Sequence, residues 1–60
     1  MIEDIETLAA AGLNVALGTS SRGGYYCELD FDRAQVAHFE APTLAEATAQ
    51  ARAWLAKESA

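Results

Sequence analysis

The segment Ala41-Pro42-Thr43-Leu44-Ala45-Glu46, followed by helix-forming residues to Glu58, constrains the fold more than any other part of the chain. In a capping box, the Thr43 hydroxyl accepts a hydrogen bond from the Glu46 N–H and the Glu46 carboxylate accepts one from the Thr43 N–H. Pro42 keeps the residue before it extended, which sharpens the boundary. We predict a closing helix whose inward residues are Leu44, Ala47, Ala51, Trp54 and Leu55, with Trp54 as the main filler of the core.

The N-terminal residues predict a second, shorter helix. Apolar residues recur at helical spacing, and three acids lie in the first turn, where the helix dipole favours negative charge. Gly12 can adopt the left-handed conformation that ends a helix, and Leu13 occupies the position of the closing contact of a Schellman motif. The predicted buried stripe consists of Ile2, Ile5, Leu8 and Ala9.

The middle of the chain shows the two-residue period of β-strands. The first predicted strand turns Leu13, Val15 and Leu17 inward, and the turn residues Ser20–Gly24 end it. In the second strand one side is apolar and the other polar. Its predicted inward residues are Tyr25, Cys27, Leu29 and Phe31, and its outward residues are Tyr26, Glu28, Asp30 and Asp32.

A third strand is predicted over residues 35–40, after a turn near Asp32-Arg33-Ala34. Ala37 and Phe39 form the favoured inward pair. A shift of one residue would instead turn Val36 and His38 inward, and the turn residues do not decide between the two registers. The predicted fold is α+β with the order α-β-β-β-α: one domain, residues 1–60, in which two helices pack on one face of a three-stranded antiparallel sheet.

The balance of nine acidic against four basic residues gives a net charge of −5. Proteins that bind nucleic acids neutralise phosphates with Lys and Arg, so direct nucleic-acid binding is not expected. The same negative field would attract a basic protein surface. The simpler interpretation is that acidity keeps a small protein soluble.

The sequence predicts a cytoplasmic protein. Glu3, Asp4 and Glu6 occupy the positions where a secretion signal would carry positive charge, and no apolar run approaches the length of a membrane span. The single cysteine, Cys27, cannot form an internal disulfide bond, which agrees with a reducing compartment.

No catalytic or cofactor-binding group is expected. Cys27 and His38 are the only candidates for a nucleophile and its base, but the strand alternation places them on opposite faces of the sheet. The same separation argues against a metal site. Ser20–Gly24 runs into a strand, whereas a phosphate-binding loop runs into a helix. We predict that the chain is not an enzyme.

The predicted binding surface is the sheet face that the helices leave uncovered. Acids beside an aromatic ring and a valine would suit an apolar anchor surrounded by pairing with Arg or Lys. The alternative is a solvated face without a partner. The candidate partner-binding residues are Tyr26, Glu28, Asp30, Val36, His38 and Glu40.

Residues 24–55 resemble the small antitoxins of the HicB type, in which a strand precedes Thr-Leu-x-Glu-Ala-x-x-x-Ala-Arg at the start of a helix. Here the motif runs from Thr43 to Arg52. The element order is also similar to that of a double-stranded RNA-binding domain, without the Lys-rich start of its second helix. In size and charge the chain resembles accessory proteins of phages, including anti-CRISPR inhibitors.

These resemblances and the charge imply an acidic interaction module that inhibits a nucleic-acid-processing protein by occupying its basic surface. The alternative is a structural module that self-associates, as a homodimer, through a sheet edge or an apolar patch, because so small a domain gains stability from association.

Overall fold

The computed structural model describes residues 1–59 and contains two helices and one sheet. The strands lie in the order β1-β2-β3, and both neighbouring pairs are antiparallel. This is the predicted α-β-β-β-α arrangement. The elements are α1 (Ile2–Ala10), β1 (Asn14–Thr19), β2 (Tyr25–Phe31), β3 (Ala34–Ala41) and α2 (Leu44–Ser59).

Helix α2 begins at the predicted cap. The Glu46 N–H donates to Thr43 Oγ1 at 3.1 Å, and the Ala47 N–H donates to the Thr43 carbonyl at 3.1 Å. Within residues 1–59 the Glu46 carboxylate makes no return hydrogen bond to Thr43, so only the forward half of the capping box forms. One such bond is enough to satisfy a free amide at the start of a helix.

Helix α1 ends in the predicted Schellman motif. The Leu13 N–H donates to the Leu8 carbonyl at 3.2 Å, and the Gly12 N–H donates to the Ala9 carbonyl at 3.0 Å. Gly12 has φ +88°, a conformation that costs little without a β-carbon. Leu8 and Leu13 are both buried, so the motif directs the chain from α1 into β1 through the core.

The core lies between the two helices and one face of the sheet. Helix α2 packs on β2 and β3, while α1 packs on β1 and α2. The buried apolar residues are Leu8, Leu13, Cys27, Leu29, Ala41, Ala47 and Ala51, with Val15, Ala37, Phe39, Trp54 and Leu55 packed partly buried around them. Their positions confirm the register in which Ala37 and Phe39 face the helices.

The predicted burial was wrong at residues of three elements, α1, β1 and β2. Leu17 of β1, predicted to face the core, is 37% exposed because β1 lies at the edge of the sheet. Ile2 is 67% exposed and Ala9 is exposed, because the short helix α1 buries only Leu8 completely. Tyr25 and Phe31 lie at the two ends of β2 and are exposed by 37% and 53%. In β2 only the central inward residues, Cys27 and Leu29, are fully buried.

Trp54 was predicted to be the main filler of the core, but it is only partly buried. Ala47 and Ala51 are fully buried, and their small side chains let α2 approach the sheet closely. The largest fully buried side chains are Leu8, Leu29, Thr48 and Cys27. Burial of Thr48 is tolerated because its hydroxyl donates within α2, to the carbonyls of Leu44 and Ala45.

Strands β2 and β3 are joined by the two residues Asp32 and Arg33, with φ of +52° and +69°. Positive φ at both positions of a two-residue loop defines a type I′ turn, which favours glycine at the second position. Sequence reasoning placed Ala34 in this turn, but Ala34 already pairs with Phe31.

We expect Arg33→Gly to stabilise the protein by about 0.5–1 kcal/mol. The glycine removes the strain of a left-handed residue with a β-carbon, and the greater chain entropy of glycine in the unfolded state offsets part of that gain. Thermal unfolding should shift upward by about 4 °C. Arg22→Gly removes the same charge at a position without positive φ. An equal rise in that control would show that charge, and not backbone conformation, is responsible.

Candidate functional site

The second face of the sheet carries no helix, and the charged side chains that the strands place on it are carboxylates, with Arg22 of the adjoining loop near enough to act on Glu40. The three strands contain no Lys or Arg. Glu28 and Asp30 extend from β2, and Glu40 extends from β3. We call this surface the open face and define it by the six predicted residues Tyr26, Glu28, Asp30, Val36, His38 and Glu40.

His38 lies at the centre of the open face, between two carboxylates. Its Nε2 is 3.1 Å from Glu40 Oε2, and its Nδ1 is 3.7 Å from Glu28 Oε1. The Tyr26 ring stacks on the imidazole, with 5.5 Å between centroids and 17° between planes. Four of the six predicted residues therefore form one contact cluster, which spans β2 and β3.

Glu40 is held in place through both carboxylate oxygens. Ser20 Oγ donates to Glu40 Oε1 at 2.8 Å, and His38 contacts the other oxygen. The Ser20 hydroxyl, then the His38 ring, lower the pKa of Glu40 below that of an ordinary glutamate. Glu40 is therefore ionised at neutral pH, but its charge is already engaged within the chain.

Gly18 makes room for the Tyr26 ring. The two residues are paired across β1 and β2, and a β-carbon built at Gly18 would lie 2.5 Å from Tyr26 Cε2. The aromatic ring thus covers a glycine on the neighbouring strand, an arrangement that also fixes strand register.

We expect Gly18→Ala to displace the Tyr26 ring and disrupt its stack with His38, while the fold survives because the obstructing atoms belong to a side chain that can rotate. The His38 ring protons should lose the upfield shift caused by the tyrosine, as measured by nuclear magnetic resonance. Tyr26→Leu in the native Gly18 background is the reference for complete loss. Unchanged His38 shifts in Gly18→Ala would contradict the assigned contact.

The other two residues of the open face are less connected. Asp30 pairs with Gln35 on β3, because a register shift between Leu29 and Asp30 leaves Val36 as an extra residue of a β-bulge. Val36 is 42% exposed. The Asp30 carboxylate makes no hydrogen bond or ion pair within residues 1–59.

Sequence reasoning did not include Gly18, Ser20 or Gln35 in this surface. Gly18 and Gln35 follow from the two hairpin registers, which place them opposite Tyr26 and Asp30. The length of the five-residue loop Ser20–Gly24 sets the register of β1 against β2, because it places Thr19 opposite Tyr25. Nothing in the sequence pattern points to the hydrogen bond between Ser20 and Glu40.

Cys27 lies on the helix-covered face, opposite to His38, as the alternation predicted. It is fully buried, and burial raises the pKa of its thiol, so the thiolate is disfavoured at neutral pH. Within residues 1–59 no group of three or more His, Cys, Asp or Glu side chains is arranged to hold a metal ion.

A shallow depression of about 410 Å³ adjoins the open face beside Glu40. Its walls come from the Ser20–Gly24 loop and from Ala41 and Pro42, where β3 turns toward α2. The depression lies next to a fixed carboxylate and is large enough to receive a side chain of another molecule.

In the described part of the chain, neither helix has the length and hydrophobicity needed to cross a bilayer. Comparisons with protein-family models, with curated proteins and with solved structures found no match to this chain.

Proposed function

We propose that the protein is an interaction module whose open face binds a basic surface of another protein. The observation that carries this proposal is the combination of three carboxylates with a complete absence of Lys and Arg on the three strands. A surface of one sign steers partners of the opposite sign and rejects others.

Two of the three carboxylates are available to a partner. Glu40 is engaged by Ser20 and His38, whereas Glu28 has one long contact of 3.7 Å and Asp30 has no contact within residues 1–59. Carboxylates in this state can accept the paired hydrogen bonds of an arginine guanidinium. Glu28 and Asp30 are therefore the expected charge contacts.

The stacked rings of Tyr26 and His38 supply the apolar part of the contact. Tyr26 is already held by Gly18 on one side and by His38 on the other, so it loses little freedom when a partner binds. Aromatic rings of this kind are frequent among the residues that contribute most to protein interfaces.

The partner class we propose is a nucleic-acid-processing protein, which must present a basic surface to bind phosphates. The acidic module would occupy that surface and inhibit the protein by excluding its nucleic acid. The choice of partner class is supported by charge alone. One experiment therefore tests binding by the open face, and a separate experiment tests inhibition.

The first experiment measures binding of an arginine-rich peptide by fluorescence anisotropy. We expect the double variant Glu28→Lys, Asp30→Lys to weaken binding at least about tenfold at low salt, with a smaller difference near 0.5 M salt, where charges are screened. The matched control is the double variant Glu6→Lys, Glu58→Lys. It changes the net charge by the same amount as the first variant, but at exposed positions on α1 and α2. Equal losses in both variants would mean that net charge, and not the open face, governs binding.

The second experiment begins with proteins retained on the immobilised chain from lysate of its source. A retained partner is then titrated with the chain in the presence of a fluorescent DNA or RNA duplex. We expect the chain to displace the duplex and the Glu28→Lys, Asp30→Lys variant to fail. A ternary complex with the duplex still bound would rule out inhibition by occupation.

A further inference from the structure

Strand β1 forms an unprotected edge of the sheet. The order β1-β2-β3 leaves one side of β1 without a neighbouring strand. Residues 12–21, which include the whole strand, contain no charged side chain and no proline. Free edges are normally blocked by charges, prolines or bulges, because an unblocked edge pairs with another strand.

The opposite edge of the sheet has such protection. Strand β3 carries His38 and Glu40, and its bulge at Val36 interrupts regular pairing. The two edges belong to the same sheet and both have a half-exposed apolar residue, Leu17 at 37% and Val36 at 42%. They differ in charge and regularity, which makes β1 the edge suited to pairing.

The hairpin shows which groups of β1 point outward. The Ser20 N–H donates to the Gly24 carbonyl at 3.0 Å, so Ser20 and, by alternation, Gly18 and Ala16 direct their backbone groups toward β2. The intervening residues Val15, Leu17 and Thr19 direct theirs away from the sheet. They present a regular row of donors and acceptors along one side of the molecule.

We propose that β1 pairs with β1 of a second copy of this chain, antiparallel about a two-fold axis, to form a continuous six-stranded sheet. With Ala16 opposite Ala16 of the second copy, Val15 lies opposite Leu17 of that copy, and the two residues exchange backbone hydrogen bonds. The side chains of Val15 and Leu17 from both copies then meet on the helix-covered face. This covers the exposed part of Leu17.

Local charge does not oppose a second copy at this edge. Each chain carries a net charge of −5, but residues 12–21 are uncharged. Two copies can therefore meet along β1 without bringing acidic side chains face to face. The acidic residues of β2 would be separated by three strand spacings, about 14 Å, which exceeds the screening length of about 8 Å at physiological salt. The two open faces would then form one surface with doubled valency.

Sedimentation velocity over a concentration series tests this pairing. We expect the wild-type chain to change from monomer to dimer and Leu17→Lys to raise the dimer dissociation constant at least about tenfold, because it places two ammonium groups at the seam. Val36→Lys is the matched control on the other edge and should dimerise like wild type. A wild-type chain that stays monomeric at every concentration, or a dimer lost only in Val36→Lys, would overturn the proposal.

A measurement on the unmodified chain guards against misfolding of the variants. Amide hydrogen exchange should show that the N–H groups of Val15, Leu17 and Thr19 become protected as protein concentration rises, while those of β3 do not. Concentration-independent exchange at these three amides would also overturn the proposal. Protection that appears only after an unrelated extended peptide is added would assign the edge to a different partner and refute self-pairing.

Discussion

Leu29→Ala is expected to lower the free energy of unfolding by about 3–4 kcal/mol. Leu29 is fully buried at the centre of β2, the middle strand, beneath α2. Removing three carbon atoms there leaves a cavity that the surrounding strands cannot close. A domain of this size has a total stability of about 3–9 kcal/mol, so the variant should be largely unfolded at moderate temperature.

Urea unfolding followed by circular dichroism measures this loss. Leu17→Ala is the control, because it makes the same chemical change on β1 where the side chain is 37% exposed. In dilute solution the control should cost about 1 kcal/mol, in proportion to the apolar area it buries. Similar losses at both positions would mean that the core is not centred on Leu29.

Gly24→Ala is expected to cost about 3 kcal/mol for a different reason. Gly24 has φ +116°, and a β-carbon built there would lie 2.8 Å from the carbonyl oxygen of Ala41. That oxygen belongs to the backbone of a strand, because the neighbouring Tyr25 pairs with Ala41, and it cannot move aside as a side chain would. Backbone strain and overpacking therefore add.

The adjacent glycine provides a matched comparison. Gly23 has φ +83° but nothing within 4 Å of its built β-carbon, so Gly23→Ala should cost about 1 kcal/mol from backbone conformation alone. Thermal unfolding should place Gly24→Ala more than about 10 °C below wild type and Gly23→Ala only about 5 °C below it. Equal midpoints would show that the contact with Ala41 relaxes freely.

The fold was predictable because its signals are local. The Thr43 cap and the left-handed Gly12 mark where helices begin and end, and the alternation in β2 identifies its buried side without knowledge of any other element. Burial at strand ends was not predictable in the same way. Tyr25 and Phe31 continue the alternation of Cys27 and Leu29, but whether they are buried depends on which parts of the sheet the two helices cover.

The open face was predictable in part. Three of its contacts, those of His38 with Tyr26, Glu28 and Glu40, join residues on the side that the alternation assigned. The bounds of the turn between β2 and β3 were not predictable, because Asp32 and Arg33 form a type I′ turn without the glycine that usually signals one. The bulge at Val36 has no signal in the alternation of β3. The pairing of Asp30 with Gln35 could therefore be identified only from the strand register observed in the structure.

The placement of both helices behind the sheet determines where a label can be attached without blocking the open face. Arg52 Nη1 is 3.2 Å from Asp4 Oδ1, which joins the first turn of α1 to the middle of α2. An exposed pair of this kind contributes little to stability. Both helices, which include residues 2 and 59, lie in the layer behind the sheet. A fluorophore, affinity tag or fused domain joined at either position would project from the rear and leave the carboxylates in front unobstructed.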